Sequence, residues 1–391
     1  MKRIALICSV PISALNGLSK VVKSFYDNQL ILLQNGIEID FYAPDVNNNK
    51  LSIIESSKSN KKSLLKKIIH KIDFIGLISQ GYNIFFRSKN IINKAINEGM
   101  ASKQYDAIFV HELYTAYQLF RMIEPREKVY FTLHSTGSMD SMIFTDYPLL
   151  RYSLTGRIMI SRIKKTVFDN IEKVIFNSKI AAENFKKLYP KYSPELVEYV
   201  NNGIKNSPAH IHKIKDNFEI VCVGSVSGRK GQTFIVEAIK DAVIKGITNF
   251  HFTIVGDGPL LPNLKKETIS SKLEAYITFE GPQQDVTKYL EKSNIFILPS
   301  VDEGQPIAII EAMREGLPIV SSPVGGIPIL VKNGINGILI SPSKEGVYKF
   351  LTELNYYDWE KMGQQSRYYY ETGFTIEKMI AKYCKIFNNE I

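Results

Sequence analysis

The chain has 391 residues, of which 45% are hydrophobic, so it is long enough for two globular domains that each bury a core. Its formal net charge of +10 and its pI near 9.1 favour acidic partners such as nucleic acid, anionic lipid or phosphorylated substrates. The sequence shows no long apolar span, no signal-peptide pattern in residues 1–10 and no nucleic-acid-binding signature, so we expect a cytosolic protein that does not bind nucleic acid.

Short apolar runs alternate with helical patterns from end to end, which predicts parallel βαβ units and an α/β fold. The strand candidates of the first half are Arg3 to Val10, Glu38 to Tyr42, Ala107 to His111, Val129 to Leu133, Lys173 to Phe176 and Val197 to Val200. Those of the second half are Ile220 to Val223, Phe250 to Val255, Ile277 to Glu280, Ile295 to Leu298, Pro318 to Ser321 and Gly337 to Ile340. The polar, aperiodic stretch from Lys205 to Asn217 separates the two sets and marks the predicted domain boundary.

A basic segment lies between the second and third strand candidates. From Ser56 to Ile72 the chain has six lysines and no acidic residue, and its leucines and isoleucines recur at helical spacing. This predicts an amphipathic helix, which either lies on an anionic membrane surface or packs its apolar stripe on the domain core. A second aromatic and basic patch, Ile84 to Lys89, favours the membrane, so we expect peripheral association with the inner face of the cell membrane.

The three cysteines are an odd and scattered set. Cys8 and Cys222 lie inside apolar strand patterns, where a buried free thiol is expected, and Cys384 lies far from both along the chain. Neither a disulfide framework nor a metal site is therefore expected.

The tail from Tyr356 to Ile391 has the pattern of helices with one break at Thr372-Gly373. Its predicted apolar anchors are Trp359, Met362, Phe374, Met379, Tyr383 and Phe387.

Two carboxylates flank a strand-to-helix junction in the second half. The apolar run from Ile295 leads into Glu303-Gly304-Gln305-Pro306-Ile307, and Glu311 follows in a predicted helix from Ile309 to Gly316. Pro favours a helix start, where unpaired N–H groups carry positive partial charge and suit an anionic ligand. Glu311 lies about two turns beyond Glu303 and can reach ligand hydroxyls. The alternative is a pair of surface glutamates near a helix N-terminus.

Glycine-rich loops follow several strands. The loop from Gly224 to Gly231 holds the adjacent cations Arg229 and Lys230, and Lys230 offers a point charge for a phosphate. Similar loops are Gly256 to Pro259, Pro323 to Pro328 and, in the first half, Asn16-Gly17-Leu18. Each loop alone is more typical of a structural turn than of a ligand contact, but the convergence of the second-half loops on one sheet edge with the glutamates favours a ligand site. The Asn16-Gly17-Leu18 turn could bring backbone N–H groups to the opposite side of the same cleft. Neither the dinucleotide fingerprint nor the phosphate-loop pattern occurs, so nicotinamide chemistry and ATP hydrolysis lack their usual signatures.

Two histidines end strand candidates of the first half. His134 follows the run from Val129 to Leu133, and His111-Glu112 ends another strand. A lone His at a strand end is more often a structural hydrogen-bonding group than a catalyst, but the place of His134 at the predicted cleft favours a site residue.

These features make the second half similar to retaining glycosyltransferases of family 4, whose GT-B fold has two Rossmann-like domains facing each other across a cleft. The E-x7-E motif at Glu303 and Glu311 matches in full, and other pieces over nearly the whole chain match too. Those pieces are Leu298-Pro299-Ser300, Glu311-Ala312-Met313, Gly316 to Val320, Asn333 to Gly337, Phe176-Asn177-Ser178, Asn202-Gly203-Ile204 and Val255 to Pro259. The resemblance implies an acceptor-binding domain at 1–205, a nucleotide-sugar-binding domain at 206–368 and a C-terminal helix at 369–391 that crosses back to the first domain.

The resemblance also implies roles for the site residues. Glu311 would hold the ribose hydroxyls of a nucleotide sugar. The donor sugar would be held by Glu303 and by the backbone of Gly304, Gln305, Pro306 and Ile307. Lys230 would neutralise the diphosphate, Gly17 would approach it from the other domain, and His134 would contact the sugar near the reacting carbon. Glu303, His134 and Lys230 are therefore the catalytic candidates. No metal-binding Asp-x-Asp stands at a strand end, so neither a metal nor a cofactor is expected.

Three departures from the family pattern bear on donor affinity. Where many members carry an Arg five residues before the Lys, this chain has Ser225, and Arg229 is the candidate substitute. The first-half glycine pair is reduced to Asn16-Gly17, and the GGIPE pattern ends in Ile329.

The activity so implied is hexosyl transfer of the EC 2.4 type, with retention, from a nucleotide-diphosphate sugar, UDP being favoured. The acceptor would be a hydroxyl of a lipid-linked or oligosaccharide glycan in the synthesis of a surface polysaccharide or glycolipid. The alternatives are another GT-B enzyme, such as a sugar-nucleotide epimerase or a phosphorylase, and a non-catalytic GT-B subunit that stabilises a partner enzyme. The sequence leaves open the sugar, the base, the acceptor, the linkage and the oligomeric state.

Overall fold

The structure is a computed structural model that describes residues 1–14, 16–46, 77–140, 148–192, 194–208 and 217–389. The predicted basic helix at 56–72 lies outside the described residues. The chain forms two compact units. Unit 1 comprises Met1–Val200 together with Ile380–Ile391, and unit 2 comprises Asn201–Met379.

Unit 1 is built on a parallel sheet of six strands in the order β2-β1-β3-β4-β5-β6, which is the flavodoxin-like arrangement. The strands are β1 Lys2–Cys8, β2 Ile37–Tyr42, β3 Ala107–His111, β4 Lys128–Leu133, β5 Lys173–Phe176 and β6 Val197–Tyr199. The helices are α1 Gly17–Asp27, α2 Gln29–Gln34, α3 Leu77–Tyr82, α4 Lys89–Asn97, α5 Leu113–Met122, α6 Leu154–Phe168 and α7 Lys179–Leu188. A π-helical turn, Asn83–Ser88, joins α3 to α4.

The core of unit 1 follows from its continuous apolar strands. All five residues of β3 are buried, as is typical of a parallel strand covered by helices on both faces. Two aromatic residues of the tail belong to this core: the Tyr383 ring lies 5.0 Å from Phe25 and the Phe387 ring 5.1 Å from Tyr130, centroid to centroid.

Unit 2 is built on a second parallel sheet of six strands, in the order β12-β11-β10-β7-β8-β9. The strands are β7 Phe218–Val223, β8 Phe250–Val255, β9 Ile277–Gly281, β10 Ile295–Leu298, β11 Ile319–Ser321 and β12 Gly337–Leu339. The helices are α8 Gln232–Ile244, α9 Leu261–Ser270, α10 Thr287–Glu291, α11 Ile307–Arg314, α12 Ile327–Leu330, α13 Lys344–Thr352 and α14 Trp359–Gly373. The last helix, α15 Ile376–Phe387, contains the division between the units.

The α/β fold class and the strand predictions are confirmed. All twelve predicted strands are present, and their ends agree with the prediction to within two residues. The predicted break in the tail falls at the end of α14, and all six predicted apolar anchors are buried. The two-fold recurrence of parallel βαβ units could be predicted because the central strands, such as β3 and β10, are buried on both faces.

All three cysteines are buried and have free thiols. Burial raises the pKa of Cys222 to about 12, so this thiol stays protonated at neutral pH. Within the described ranges, no three His, Cys, Asp or Glu side chains are grouped so that they could hold a metal ion. None of the helices described is both long and apolar enough to cross a membrane.

Candidate functional site

The sheet of unit 2 reverses its direction of winding between β7 and β10. These two strands are neighbours, and β8 and β9 extend the sheet on one side while β11 and β12 extend it on the other. This is the Rossmann strand order, and ligands of such sheets bind outside the carboxyl ends of the strands at this switch point. The two loops that leave the switch point are residues 224–231 and 299–306, which contain most of the predicted site residues.

An ion pair joins the two switch-point loops. Lys230 Nζ lies 2.5 Å from Glu303 Oε1, and the two side chains are only 11% and 5% exposed. Arg229 Nη1 lies 3.3 Å from Glu303 Oε2 and donates a hydrogen bond to the Asp302 carbonyl oxygen at 2.9 Å. Ser300 Oγ donates to Glu303 Oε1 at 2.9 Å. The predicted residues Arg229, Lys230 and Glu303 therefore form one cluster, in which the Glu303 carboxylate is buried and Arg229 is exposed.

The loop after β10 ends in an uncapped helix start. Pro306 is the N-cap residue of α11, with φ −70° and ψ 119°, and its side chain makes no capping hydrogen bond to the first turn of the helix. The helix runs from Ile307 to Arg314, so it begins and ends two residues earlier than predicted, and Glu311 lies on it in a partly buried position. Free N–H groups and the helix dipole make this end favourable for an anion.

The backbone of the loop after β10 is held by a third loop, the one after β11. The N–H of Gly326 donates to the Gly304 carbonyl oxygen at 2.7 Å. The Gln305 side chain is 4% exposed and accepts from the Asn202 N–H at 2.6 Å, while its own amide donates to Asn201 Oδ1 at 3.2 Å. The Gln305 carbonyl oxygen accepts from Asn202 Nδ2 at 3.0 Å, so Gln305 leaves only its backbone N–H for a ligand, and the family resemblance implies a backbone role for it.

The glycines of this sheet edge serve close packing of backbones. A Cβ on Gly231, whose φ is +75°, would lie 2.1 Å from the Pro299 carbonyl oxygen. A Cβ on Gly256 would lie 1.9 Å from the Gly224 carbonyl oxygen, and one on Gly258 would lie 2.3 Å from that of Val226. At these three positions the structural interpretation of the glycine-rich loops is correct, because no larger residue fits.

Sequence reasoning missed Gln232, which shapes the first loop, and Asp302, which lies in the second. Gln232 is 1% exposed, donates to the Ser225 carbonyl oxygen at 3.1 Å and accepts from the Ser227 N–H at 3.3 Å. Its side chain thereby fixes the loop that carries Lys230, while Ser225 itself is exposed. Burial raises the pKa of Asp302 above its usual range, although Arg229 opposes the shift. The position of Gln232 at a helix start was visible in the sequence, but its inward direction was not.

In unit 1, two histidines meet at the carboxyl edge of the sheet. His111 ends β3 and His134 follows β4, which is the neighbouring strand. His111 Nδ1 lies 3.2 Å from His134 Nε2, and the rings are stacked with centroids 5.5 Å apart. His111 is fully buried, and its Nε2 has no hydrogen-bond partner among the described residues.

Burial decides the protonation of both rings. It lowers the pKa of His134 to about 4 and, together with the neighbouring ring, lowers the pKa of His111 well below 6.5. Both imidazoles are therefore neutral at pH 7, and one of them donates to the other. If His111 donates, its buried Nε2 is a bare acceptor; if it accepts, that Nε2 is a buried N–H without a partner, which is the rarer situation in proteins. The favoured arrangement leaves the proton of His134 on Nδ1.

The remaining predicted residue, Gly17, begins α1. Asn16 is the N-cap residue, and its Oδ1 accepts from the Ser19 N–H at 2.9 Å. A Cβ on Gly17 would meet nothing within 4 Å, so packing within unit 1 does not require glycine here.

A polar cluster occupies the switch point of unit 1, between β1 and β3. Glu112, with φ +98°, accepts from the Ser9 N–H at 3.0 Å and pairs with Arg87 Nη2 at 2.6 Å. Arg87 lies in the predicted aromatic and basic patch at 84–89, so its charge is matched inside unit 1, whereas Phe86 and Lys89 are exposed.

The sequence of unit 2 matches a known family. Residues 217–354 match the family model of the glycosyl transferases group 1. An amylovoran biosynthesis glycosyltransferase, AmsK, of Erwinia amylovora is 36% identical over 128 residues, which are 31% of each chain. The UDP-Gal:alpha-D-GlcNAc-diphosphoundecaprenol alpha-1,3-galactosyltransferase of Escherichia coli is 34% identical over 169 residues, 40% of this chain and 43% of that protein. The chain thus spans well under half the length of these curated relatives.

The whole chain is similar to solved structures. Sucrose-phosphate synthase from Thermosynechococcus elongatus gives a TM-score of 0.71 at 16% identity and covers 100% of this chain and 99% of that one. Anabaena HepE in complex with UDP-glucose gives a TM-score of 0.66 at 16% identity, with full coverage of both chains. These likenesses establish the GT-B fold class, with two Rossmann-like units.

Proposed function

We propose that the protein is a retaining glycosyltransferase that moves a sugar from a nucleotide-diphosphate sugar to a hydroxyl group of a lipid-linked glycan. We further propose that the donor is a UDP-sugar, that the product is a surface polysaccharide or glycolipid, and that the protein works at the inner face of the cell membrane. The Escherichia coli relative is named for a UDP-sugar and a diphosphoundecaprenol acceptor, and HepE was solved with UDP-glucose, which supports this choice. The named relatives are transferases, so neither an epimerase nor a non-catalytic subunit is favoured.

The observation that carries the proposal is the Lys230–Glu303 pair at the switch point of unit 2. An ammonium group has three N–H donors, and Glu303 occupies one of them, so two remain for phosphate oxygens. The uncapped start of α11 offers further N–H groups beside the same loop. A diphosphate held there would be stabilised as it leaves the sugar, because fixed cations and dipoles stabilise the charge that develops in the transition state.

In this proposal Glu303 orients the donor. Lys230 and Ser300 hold its carboxylate in place, so its remaining lone pairs can accept from sugar hydroxyls. Glu311, in the second turn of α11, takes the ribose hydroxyls. His134 contributes a neutral imidazole as a hydrogen-bonding group near the reacting carbon. The bond from the anomeric carbon to the phosphate oxygen breaks, a bond to the acceptor oxygen forms, and the acceptor proton leaves with the diphosphate.

We include metal independence in the proposal. Lys230 and the start of α11 would supply the positive charge that a divalent cation supplies in other transferases. The rate of transfer should therefore be unchanged by excess chelator, and a rate that falls with chelator and recovers with Mg²⁺ or Mn²⁺ would remove this part of the proposal.

A donor screen tests the function. The full-length protein is incubated with UDP- and GDP-sugars and a lipid-diphosphate glycan fraction, and release of nucleoside diphosphate is measured. The expected result is acceptor-dependent release from one donor, with a loss of about a hundredfold or more in the Glu303→Gln variant. Absence of release from every donor, or equal release by the variant, would contradict the proposal.

A further inference from the structure

Four large apolar side chains of unit 1 are turned towards solvent over a short stretch of chain. Leu149 is 37% exposed, Tyr152 77%, Leu154 71% and Ile158 59%. They lie in the 3-10 turn Pro148–Tyr152 and in the first half of α6. Single exposed apolar residues are ordinary, but a contiguous group on one face indicates a surface that is covered in use.

The same stretch is strongly basic. Residues 148–168 contain Arg151, Arg157, Arg162, Lys164 and Lys165 and no acidic residue. Lys164 pairs with Asp140 at 2.9 Å. Arg157, Arg162 and Lys165 are exposed, and none of the three has a carboxylate partner in the part of the chain that the structure describes.

Helical geometry places the exposed groups on one side of α6. The buried residues Gly156, Ile160, Ile163 and Val167 form one stripe, which faces the interior, and α6 packs against α5. Leu154, Ile158, Arg162 and Lys165 recur at intervals of three and four residues, so they form a second stripe on the opposite side. Arg157 lies at the side of this stripe, and Leu149 and Tyr152 lie in the 3-10 turn that precedes α6. We call the exposed groups Leu149, Tyr152, Leu154, Arg157, Ile158, Arg162 and Lys165 the α6 face.

We propose that the α6 face docks unit 1 on an anionic lipid bilayer. The apolar side chains would enter the boundary between headgroups and acyl chains, while the cations meet lipid phosphates through their flexible stems. This inference rests on the proposed function for its purpose, because an enzyme with a lipid-linked acceptor must work at a bilayer surface. The choice of this surface depends only on the exposure and the charge of its side chains.

The combination of groups favours lipid over other occupants. An acidic protein or a free phosphate would be recognised by the cations alone and would leave the Leu154 and Ile158 side chains in water. An uncharged protein surface would cover the apolar side chains but would leave three cations without partners. A bilayer with anionic headgroups covers the apolar side chains and also supplies phosphates to the cations.

Vesicle flotation of the full-length protein tests the proposal. Vesicles of phosphatidylcholine with 30% phosphatidylglycerol are compared with pure phosphatidylcholine. Binding should require the anionic lipid and weaken in high salt. Each cation near such a surface raises binding about fivefold, so Arg157→Gln/Arg162→Gln/Lys165→Gln should bind about a hundredfold more weakly. Leu154→Gln/Ile158→Gln should bind at least about tenfold more weakly, because two large apolar side chains no longer leave water.

Two controls keep the test specific. Lys240→Gln/Lys266→Gln/Lys292→Gln removes the same charge from exposed positions of unit 2 and should bind vesicles like the wild type. A variant with all six lysines of 56–72 replaced by Gln measures the contribution of that segment. If this variant alone releases the protein while the α6 variants bind normally, the proposal is wrong.

Nucleotide binding separates this inference from the proposed function. UDP is titrated into wild type and the α6 variants. Equal UDP affinity with lost vesicle binding supports the proposal. Vesicle binding through the α6 face without any nucleotide affinity would overturn the proposed function and leave the docking surface standing. Equal binding of the wild type and the α6 variants to anionic vesicles would overturn the docking surface whatever the nucleotide result.

Discussion

Replacing Lys230 by Met should destabilise unit 2 through the carboxylate that it leaves behind. Lys230 Nζ lies 2.5 Å from Glu303 Oε1, and the Glu303 side chain is 5% exposed, so water cannot replace the lost partner. Removing one member of a buried pair typically lowers the free energy of unfolding by about 3–5 kcal/mol. Because Arg229 at 3.3 Å and Ser300 at 2.9 Å still contact the carboxylate, we expect about 3 kcal/mol, at the lower end.

The double variant Lys230→Met/Glu303→Gln should recover most of this loss. A neutral amide keeps the hydrogen bond from Ser300 and needs no cation, so the double variant should be only about 1 kcal/mol less stable than the wild type. Urea unfolding is followed by tryptophan fluorescence, since Trp359 is the single tryptophan of the chain, is 2% exposed and lies in unit 2. A loss below about 1 kcal/mol in the single variant, or a double variant as unstable as the single one, would refute this reasoning.

Three further predictions concern glycine and histidine. Gly231→Ala should lower the free energy of unfolding by about 1–3 kcal/mol and weaken UDP binding, because its Cβ would lie 2.1 Å from the Pro299 carbonyl oxygen at a φ of +75°. Gly228→Ala is the matched control, because the added Cβ would meet nothing within 4 Å. If Gly231→Ala and Gly228→Ala unfold at the same urea concentration, the steric argument is wrong. Gly17→Ala also meets nothing within 4 Å and should leave stability unchanged while slowing transfer, if Gly17 approaches the diphosphate as the family resemblance implies; an unchanged rate would remove Gly17 from the site. Burial lowers the pKa of His134 to about 4, so the unfolded chain binds a proton that the folded chain refuses between pH 6.5 and pH 4. The free energy of unfolding should therefore fall by up to about 1.4 kcal/mol for each unit by which the pH is lowered from 6.5 towards 4. This pH dependence is measured by urea unfolding followed by circular dichroism, and it should be weaker in His134→Gln.

The strands were predictable because burial on both faces leaves a continuous apolar run in the sequence. β3 and β10 are buried at every position, and both were predicted with their observed ends. The helix after β10 was also predicted, but with both ends two residues too late, since Pro306 proved to be its N-cap residue.

The contacts of the site were not predictable, because they depend on strand order. Lys230 and Glu303 meet because β7 and β10 are neighbours, and His111 and His134 meet because β3 and β4 are. A pattern of apolar residues does not specify which parallel strands pair. The roles of the glycines could not be predicted from the sequence either. Residue 231 must be glycine because a Cβ there would lie 2.1 Å from the Pro299 carbonyl oxygen, whereas a Cβ on Gly17 would meet nothing within 4 Å.

The α6 face shows a further limit of sequence reasoning. The charge of residues 148–168 is visible in the sequence, but the exposure of Leu154 and Ile158 becomes clear only when Ile160 and Ile163 are seen to fill the core. In the sequence alone, the segment at 56–72 gives the stronger basic signal, because it contains six lysines and no acidic residue.

A calorimetric titration tests most directly whether unit 2 binds a nucleoside diphosphate at the Lys230–Glu303 pair. UDP and then GDP are titrated into the wild type and into Lys230→Ala and Glu311→Ala. The account predicts that one nucleotide binds, with UDP favoured, and that each variant weakens it by about tenfold to a hundredfold, because each removes a hydrogen bond or charge contact to the ligand. Binding of neither nucleotide, or unchanged affinity in Lys230→Ala, would contradict the central claim.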